Sequence, residues 1–125
     1  MGQTAAMARL IEAASSVIAA GSGGKQILEH IGRVNTGDAA VSIAHMTSPA
    51  GWSEPWQRPE FDEWTVVLSG AVQVEHESGS FEAGAGQAVH APAGERVRYS
   101  TPAGADYLSV CVPAFAPDTV HREEP

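Results

Sequence analysis

The sequence predicts a small all-β domain, a sandwich or barrel, that is preceded by one α-helix. From residue 25 onward apolar and polar residues alternate with a period of two, and turn signals recur about every eight to twelve residues. Thirteen Gly and eight Pro are spread along the 125 residues, which indicates many turns. No helix-length segment recurs between the candidate strands, and this argues against a parallel sheet built from βαβ units.

The N-terminal segment carries the predicted helix. Apolar residues recur there at steps of three and four, as on one face of a helix: Met7, Leu10, Ile11, Ala14, Val17 and Ile18. Thr4 is a suitable N-cap, and Gly21 stands where helices commonly end. We therefore predict a helix and a Gly-rich hinge over residues 1–24, a β-barrel over 25–113 and a tail over 114–125, all within a single domain.

Seven segments of the barrel region fit the strand pattern. They are residues 26–33, 40–46, 63–68, 71–77, 88–90, 96–100 and 107–112. Gly- and Pro-rich segments separate them, and residues 69–70 are predicted to form the turn of a hairpin. The tail is too rich in Pro and charge to be a central strand, so we expect it to wrap the surface.

Charge and composition exclude several classes of function. The chain has seven basic and fifteen acidic residues, a formal net charge of −8 and a pI near 4.9. This balance argues against nucleic acid and anionic membranes as partners. Cys111 is the only cysteine, which rules out an internal disulfide and fits a reducing compartment. No apolar run approaches the roughly 20 residues of a membrane span, and we predict a cytoplasmic protein.

Anchor residues at fixed spacing resemble the two sequence motifs of the cupin superfamily. Gly51, Glu63 and Gly70 match the first motif in register, and Gly86, Pro92 and Gly94 match the second. The resemblance covers about residues 40–112, and it implies a double-stranded β-helix, the jelly-roll barrel of cupins. The Pro-Glu-Phe-Asp-Glu run at residues 59–63 is also similar to a group of small bacterial cupins related to the ethanolamine-utilisation type.

The chain departs from the cupin pattern at the metal ligands. The resemblance implies a site of three His and one Glu, but Gln57, Pro59 and Val97 stand at the histidine positions, and only Glu63 is kept. Cupins hold divalent first-row metals with imidazoles and one carboxylate, and a carboxylate beside a neutral amide binds such ions far more weakly. No conventional metal site is therefore expected, and the cofactor stays unassigned.

Strand alternation and the motif register together predict which side chains face the barrel interior. Glu63 is the predicted acid or base, because burial of a carboxyl group in a mostly apolar cup should raise its pKa. Tyr99 is predicted to donate a hydrogen bond to a developing enolate or alkoxide, and Gln57 completes the catalytic set. The other predicted pocket residues are Met46, Trp56, Thr65, Val67, His90, Val97 and Cys111. Glu54, Glu60 and Asp62 are assigned to a solvated acidic face.

Three classes of function are open at this point. The leading hypothesis is metal-independent acid–base chemistry, of isomerase, lyase or cyclase type, on a small organic molecule bound in the barrel. The second is a divalent-metal enzyme with a rearranged site, whose ligands are Glu63, Gln57 and one of His45, His76 or His90. The third is a non-catalytic module that binds a small molecule.

A homodimer is predicted under each of these hypotheses. Trp64, Val66 and Leu68 share one face of a predicted strand, opposite to the face of Glu63. This apolar face, the unpartnered helix and the sheet edges all need to be covered, and a second copy of the chain would cover them.

Overall fold

A computed structural model describes residues 7–124 of the chain. Within that range every regular element is a β-strand, and nine strands follow one another: β1 (Ser15–Val17), β2 (Gln26–Ile31), β3 (Ser42–Ser48), β4 (Trp52–Ser53), β5 (Asp62–His76), β6 (Gly79–Gly84), β7 (Ala88–Ala91), β8 (Val97–Thr101) and β9 (Ala105–Val112). The all-β prediction is confirmed. Residues 7–124 contain no helical segment that could span a membrane.

The strands form two antiparallel sheets that share β5. The first sheet has the order β1-β2-β3-β9-β5-β7, and the second has the order β4-β8-β5-β6. The first half of β5 pairs with β9 and β7, while its second half pairs with β8 and β6. Because β5 passes from one sheet to the other, the two sheets curl around a common interior, as in a jelly roll.

The hairpin predicted at residues 69–70 is wrong, since β5 runs without a turn over fifteen residues. The register of β5 against β9 shifts between Val67 and Ser69, as at a β-bulge. One extra residue at this point changes which alternate positions face inward. The buried side chains are Thr65 and Val67 before the shift and Val72 and Val74 after it.

The predicted N-terminal helix is wrong in the part of that segment that the structure describes. Residues 7–14 form neither helix nor strand, and β1 pairs with β2. Met7, Leu10 and Ile18 are exposed. These apolar side chains therefore have no surface against which they would pack as one face of a helix. Strand β1 instead pairs with the outer edge of β2. The predicted N-cap, Thr4, lies outside the described residues.

The core lies between the two sheets, and the C-terminal segment adds to it. Trp52, Val67, Val72, Val97 and Tyr99 are among the buried residues of the main cluster. A smaller cluster joins the C-terminal segment to the barrel through Phe61, Cys111, Phe115 and Val120. This segment also runs beside residues 56–60, where the amide of Glu123 donates to the carbonyl of Trp56 at 2.8 Å.

Candidate active site

A cavity of about 70 Å³ lies inside the barrel, and titratable side chains line it. Its wall is formed by β2, β3, β9 and the start of β5, together with residues 54–61 and parts of the N- and C-terminal segments. A pocket of about 20 Å³ continues it, and Lys25, Met46, Glu54 and Glu63 line both spaces. A concave space with a few convergent polar groups is the default candidate for a binding site.

The alternation of β2, continued by one residue before the strand begins, brings a lysine into this cavity. Lys25, Ile27 and Glu29 line the cavity, whereas the intervening Gln26 and Leu28 are exposed. The chain reaches β2 by docking on β4, where the indole N–H of Trp52 donates to the carbonyl of Ala20 at 3.2 Å.

This docking requires glycine at position 21. Gly21 has φ +91°, and a Cβ atom there would lie 2.2 Å from the carbonyl oxygen of Ser53. A side chain at this position would therefore push the segment off β4 and displace the lysine that follows it.

The amine of Lys25 is enclosed by aromatic rings and carboxyl groups. Its Nζ lies 4.1 Å from the centre of the Trp52 ring and 5.2 Å from that of Tyr107. Burial lowers the pKa of Lys25, and the negative charges of Glu54 and Glu63 counteract only part of that effect. The side chain therefore holds its proton less firmly than an exposed lysine.

Glu54 is the carboxyl group that burial perturbs most clearly. Its side chain is buried, so the prediction that Glu54 lies on a solvated acidic face is wrong. Burial raises the pKa of this carboxyl group to about 7. The charge of Lys25 works against this rise, while that of Glu63 adds to it. Near neutral pH the Glu54 carboxyl group is thus divided between its acid and its base form.

Glu63 lies on the cavity wall, as the motif register predicts. Its Oε2 accepts a hydrogen bond of 2.6 Å from the hydroxyl of Ser109, and the Cys111 thiol lies 3.9 Å from the same oxygen. Burial raises the pKa of the Cys111 thiol, so this cysteine stays protonated and is a poor nucleophile. Ser109 therefore orients the carboxyl group and leaves its other oxygen for the cavity.

Several polar atoms along this interior are buried with no hydrogen-bond partner among the described residues. They are Glu54 Oε2, Gln57 Oε1, Glu63 Oε1 and the Tyr99 hydroxyl. Buried polar atoms in proteins nearly always have partners, because leaving one unpaired costs about 1–3 kcal/mol. The residues concerned all line the cavity or its extension. This arrangement fits a small polar molecule that would bond to them.

The Tyr99 hydroxyl is suited to donate a hydrogen bond and not to act as a base. Burial raises its pKa far above the usual range, and the nearby carboxyl groups of Glu63 and Glu54 raise it further. A phenol that keeps its proton can stabilise an oxygen on which negative charge develops.

The structure brings six of the ten predicted pocket residues to the cavity. Those on its wall are Met46, Gln57, Glu63, Thr65, Tyr99 and Cys111. Val67 and Val97 point inward too, but they are packed in the core cluster. Trp56 lies outside the cavity, because the guanidinium groups of Arg96 and Arg98 stack on its ring at 4.1 and 5.1 Å.

The side chain of His90 does not line the cavity, although it was predicted to do so. Its neighbours Val89 and Ala91 are buried, so the alternation of β7 directs the imidazole to the outer face of the sheet. There it stacks on Trp64 at a centroid distance of 4.8 Å, and its Nε2 lies 3.5 Å from Asp62.

The cavity residues do not fit a cupin metal ion. The imidazoles that would hold it lie elsewhere: His45 faces Asp106 at 3.3 Å, His76 packs near Phe81, and His90 is on the outer face. Across residues 7–124 no group of three His, Cys, Asp or Glu side chains is arranged to hold a metal ion. A lysine amine beside the two glutamates disfavours a bound cation further.

Sequence reasoning missed three of the site residues: Lys25, Glu54 and Ser109. Lys25 is the only lysine of the chain, and it stands in phase with Ile27 and Glu29, so the period-two pattern itself contained the signal. Ser109 likewise alternates in phase with Cys111. Glu54 offered no such signal, because it follows β4 in a Pro-rich segment without regular alternation.

Comparison with known proteins identifies relatives of the same fold. The family model described as ethanolamine utilisation protein EutQ matches residues 39–116. A crystal structure of a protein assigned as ethanolamine utilization protein Q, from Salmonella typhimurium LT2, is similar with a TM-score of 0.63 at 24% identity, covering 73% of this chain and 71% of that one. A variant of oxalate decarboxylase from Bacillus subtilis is similar with a TM-score of 0.73 at 18% identity, covering 98% of this chain and 33% of that one.

A curated relative shares more sequence over a part of its length. The chain is 43% identical over 104 residues to a protein of Myxococcus xanthus (strain DK1622) named endoribonuclease YbeY. The match covers 82% of this chain and 35% of that protein, so the chain spans about a third of the relative's length.

Proposed function

This chain belongs to the EutQ family of cupins, whose family model matches residues 39–116, and we propose that it is an enzyme that transfers protons on a small organic molecule held in the barrel. The reaction is of isomerase or lyase type: a proton is removed from a carbon next to a carbonyl group and is returned at another atom, or a bond to a leaving group breaks. The catalytic groups are the protein's own carboxyl and hydroxyl side chains.

The observation that carries the proposal is the carboxyl group of Glu54 on the cavity wall, with its pKa raised to about 7. A general acid or base works best when its pKa lies near the pH at which it operates. Glu54 Oε2 has no hydrogen-bond partner among the described residues, so the protein does not occupy the oxygen that would exchange a proton with a substrate.

The other cavity groups have complementary roles in this proposal. Glu63, oriented by Ser109, is a second carboxyl group that accepts or returns a proton on its free oxygen. The Tyr99 hydroxyl donates to the substrate oxygen on which charge develops as the carbon loses its proton. Gln57 provides a further buried amide whose Oε1 is free to accept a hydrogen bond from the substrate.

The cavity favours a very small substrate or the reacting end of a larger one. Its volume of about 70 Å³ is small beside the roughly 300–1,000 Å³ of pockets that hold drug-sized ligands. The likeness to a protein named endoribonuclease does not extend the proposal to RNA, since this chain has a net charge of −8 and RNA-binding surfaces are basic.

Exchange of hydrogen for deuterium tests the proposal without knowledge of the natural substrate. The protein is incubated in deuterated water, with a chelator present, with pyruvate, glycolaldehyde or dihydroxyacetone. The loss of the carbon-bound protons next to the carbonyl group is followed by proton NMR. We expect the protein to catalyse exchange in at least one compound, and Glu54→Gln to slow it by about 100-fold or more.

Glu82→Gln is the matched control, because it makes the same chemical change at an exposed glutamate of β6, away from the cavity. Its exchange rate should equal that of the unaltered protein, and thermal unfolding shows whether both variants are folded. Exchange by folded Glu54→Gln at the full rate, or no exchange above the buffer background in any of the compounds, would overturn the proposal.

A further inference from the structure

Lys25 is a group that the proton-transfer mechanism above does not use. It is the only lysine of the 125 residues, and its side chain lines both the cavity and the smaller pocket. It reaches this position through two specific features, the docking of the Gly-rich segment on β4 and the alternation of β2. A lysine that served only solubility would lie on the surface, where most lysines of folded proteins are found.

The surroundings of the Lys25 amine suit a nucleophile that acquires a positive charge when it reacts. The rings of Trp52 and Tyr107 lie 4.1 and 5.2 Å from Nζ, and aromatic faces stabilise positive charge at such distances. Glu54 and Glu63 line the same space and bear the opposite charge when ionised. Burial opposes protonation of the free amine and lowers its pKa, which leaves more of it neutral and reactive.

We infer that Lys25 is a nucleophilic amine that forms an iminium ion with the carbonyl carbon of a small aldehyde or ketone bound in the cavity. The inference rests on the proposed function and deepens it, because it names the substrate class and adds a covalent step. An iminium ion draws electrons from the neighbouring carbon more strongly than a carbonyl group does, and so it makes the proton on that carbon easier to remove.

The covalent step balances with the groups present. The lone pair of Nζ attacks the carbonyl carbon, and the carbonyl oxygen takes a proton from the Glu54 carboxylic acid. The carboxylate then takes up the proton that the nitrogen loses, which gives a neutral carbinolamine. The same acid donates that proton to the carbinolamine hydroxyl, which leaves as water while the nitrogen lone pair forms the C=N bond. One amine, one carbonyl compound and one proton thus give one iminium ion and one water molecule.

Reductive trapping tests the inference directly. The protein is mixed at neutral pH with pyruvate, glycolaldehyde or dihydroxyacetone and a mild hydride reductant, and its intact mass is recorded over time. We expect an adduct with the mass of the probe less one oxygen atom, and peptide mapping should place it on Lys25 and separate it from any adduct of the N-terminal α-amine. Lys25→Arg, which keeps the positive charge but removes the nucleophile, should abolish that adduct.

A matched variant separates the effect of the site from the ordinary reactivity of lysine. Gln26→Lys in the Lys25→Arg background moves the amine by one residue, to the exposed face of β2. We expect trapping at Lys25 of the unaltered protein to be at least about tenfold faster than trapping at position 26 of this double variant. Equal rates would mean that the cavity does not activate the amine, and they would overturn the inference.

The trapping and exchange experiments fail independently of each other. Exchange without trapping would overturn the role of Lys25 and leave the proposed function standing. Trapping at Lys25 without exchange would support the amine site and overturn proton transfer as the function. If neither occurs with any of the three carbonyl compounds, both are overturned.

Discussion

Burying an acid as deeply as Glu54 changes how the stability of the protein depends on pH. An exposed glutamate has a pKa near 4.5, whereas burial raises the pKa of Glu54 in the folded protein to about 7. Between these values the unfolded chain loses the proton while the folded protein keeps it. The carboxyl group therefore favours the folded state fully below pH 4.5, and this contribution is lost as the pH rises through 7.

We expect Glu54→Gln to remove most of that pH dependence. The free energy of unfolding of the unaltered protein should fall between pH 4.5 and pH 7 by an amount on the order of 3 kcal/mol that the variant does not show. Urea unfolding at a series of pH values measures both curves. Parallel curves for the two proteins across this range would contradict the burial of an ionisable acid at position 54.

The same residue connects stability with the proposed activity. A carboxyl group with a pKa of about 7 is costly to the folded state above neutral pH and useful to a proton-transfer reaction at neutral pH. Lys25 shares this cost, because its burial lowers its pKa and so disfavours the charged amine. The neighbouring opposite charges of the two residues offset part of it.

At the scale of the element, the long strand β5 depends on a close approach at Gly70. The residue has φ +73°, and a Cβ atom there would lie 2.2 Å from the carbonyl oxygen of Gly104. The bend that this contact permits lies beside the register shift against β9, where β5 leaves one sheet for the other. Glycine at this position therefore enables both the crossing and the inward alternation on either side of it.

We expect Gly70→Ala to destabilise the fold more than Gly51→Ala. Gly51 has a similar φ of +84°, but a Cβ atom there would meet nothing within 4 Å, so alanine costs only the backbone strain of about 1–2 kcal/mol. At Gly70 the clash with backbone adds about 1–3 kcal/mol. Chemical denaturation of both variants measures the difference. Equal losses of stability would mean that β5 has room to move away from Gly104.

At the scale of the whole molecule, the outer face of the first sheet is apolar. Trp64, Val66 and Leu68 of β5 are partly exposed, and the register pairs Trp64 with Val110 and Val66 with Leu108 of β9. These side chains form one continuous surface on the side of the sheet away from the cavity. The homodimer inferred from the sequence stays a prediction, and this face is where we expect the second copy to bind.

Light scattering checks this prediction with a matched pair of variants. The unaltered protein should have twice the chain mass of 13.0 kDa at micromolar concentration, and Val66→Asp should shift it toward the monomer. Phe81→Asp makes the same kind of change at a residue of similar exposure on β6, in the other sheet, and should leave the dimer intact. A monomeric unaltered protein would contradict the prediction.

Alternation and motif spacing were enough to predict the all-β class, the family and a part of the cavity wall. Alternation with a period of two is a local property of a strand, and the motif spacing sets its register, so Glu63, Thr65 and Tyr99 could be placed inward from the sequence. The glycine anchors at 51 and 70 were likewise visible in the motif spacing, and both have positive φ values, which glycine adopts more readily than other residues.

Other features depend on contacts between distant parts of the chain, and no local pattern predicts them. The apolar spacing of residues 7–18 fits a helix, but the free edge of β2 made part of that segment a strand. The bulge in β5 and the outward turn of His90 likewise follow from pairing with other strands. Glu54 and Lys25 meet because two sheets close around them, and their pKa values reflect that burial. Desolvation and charge coupling depend on every neighbour in space, so no local pattern encodes them.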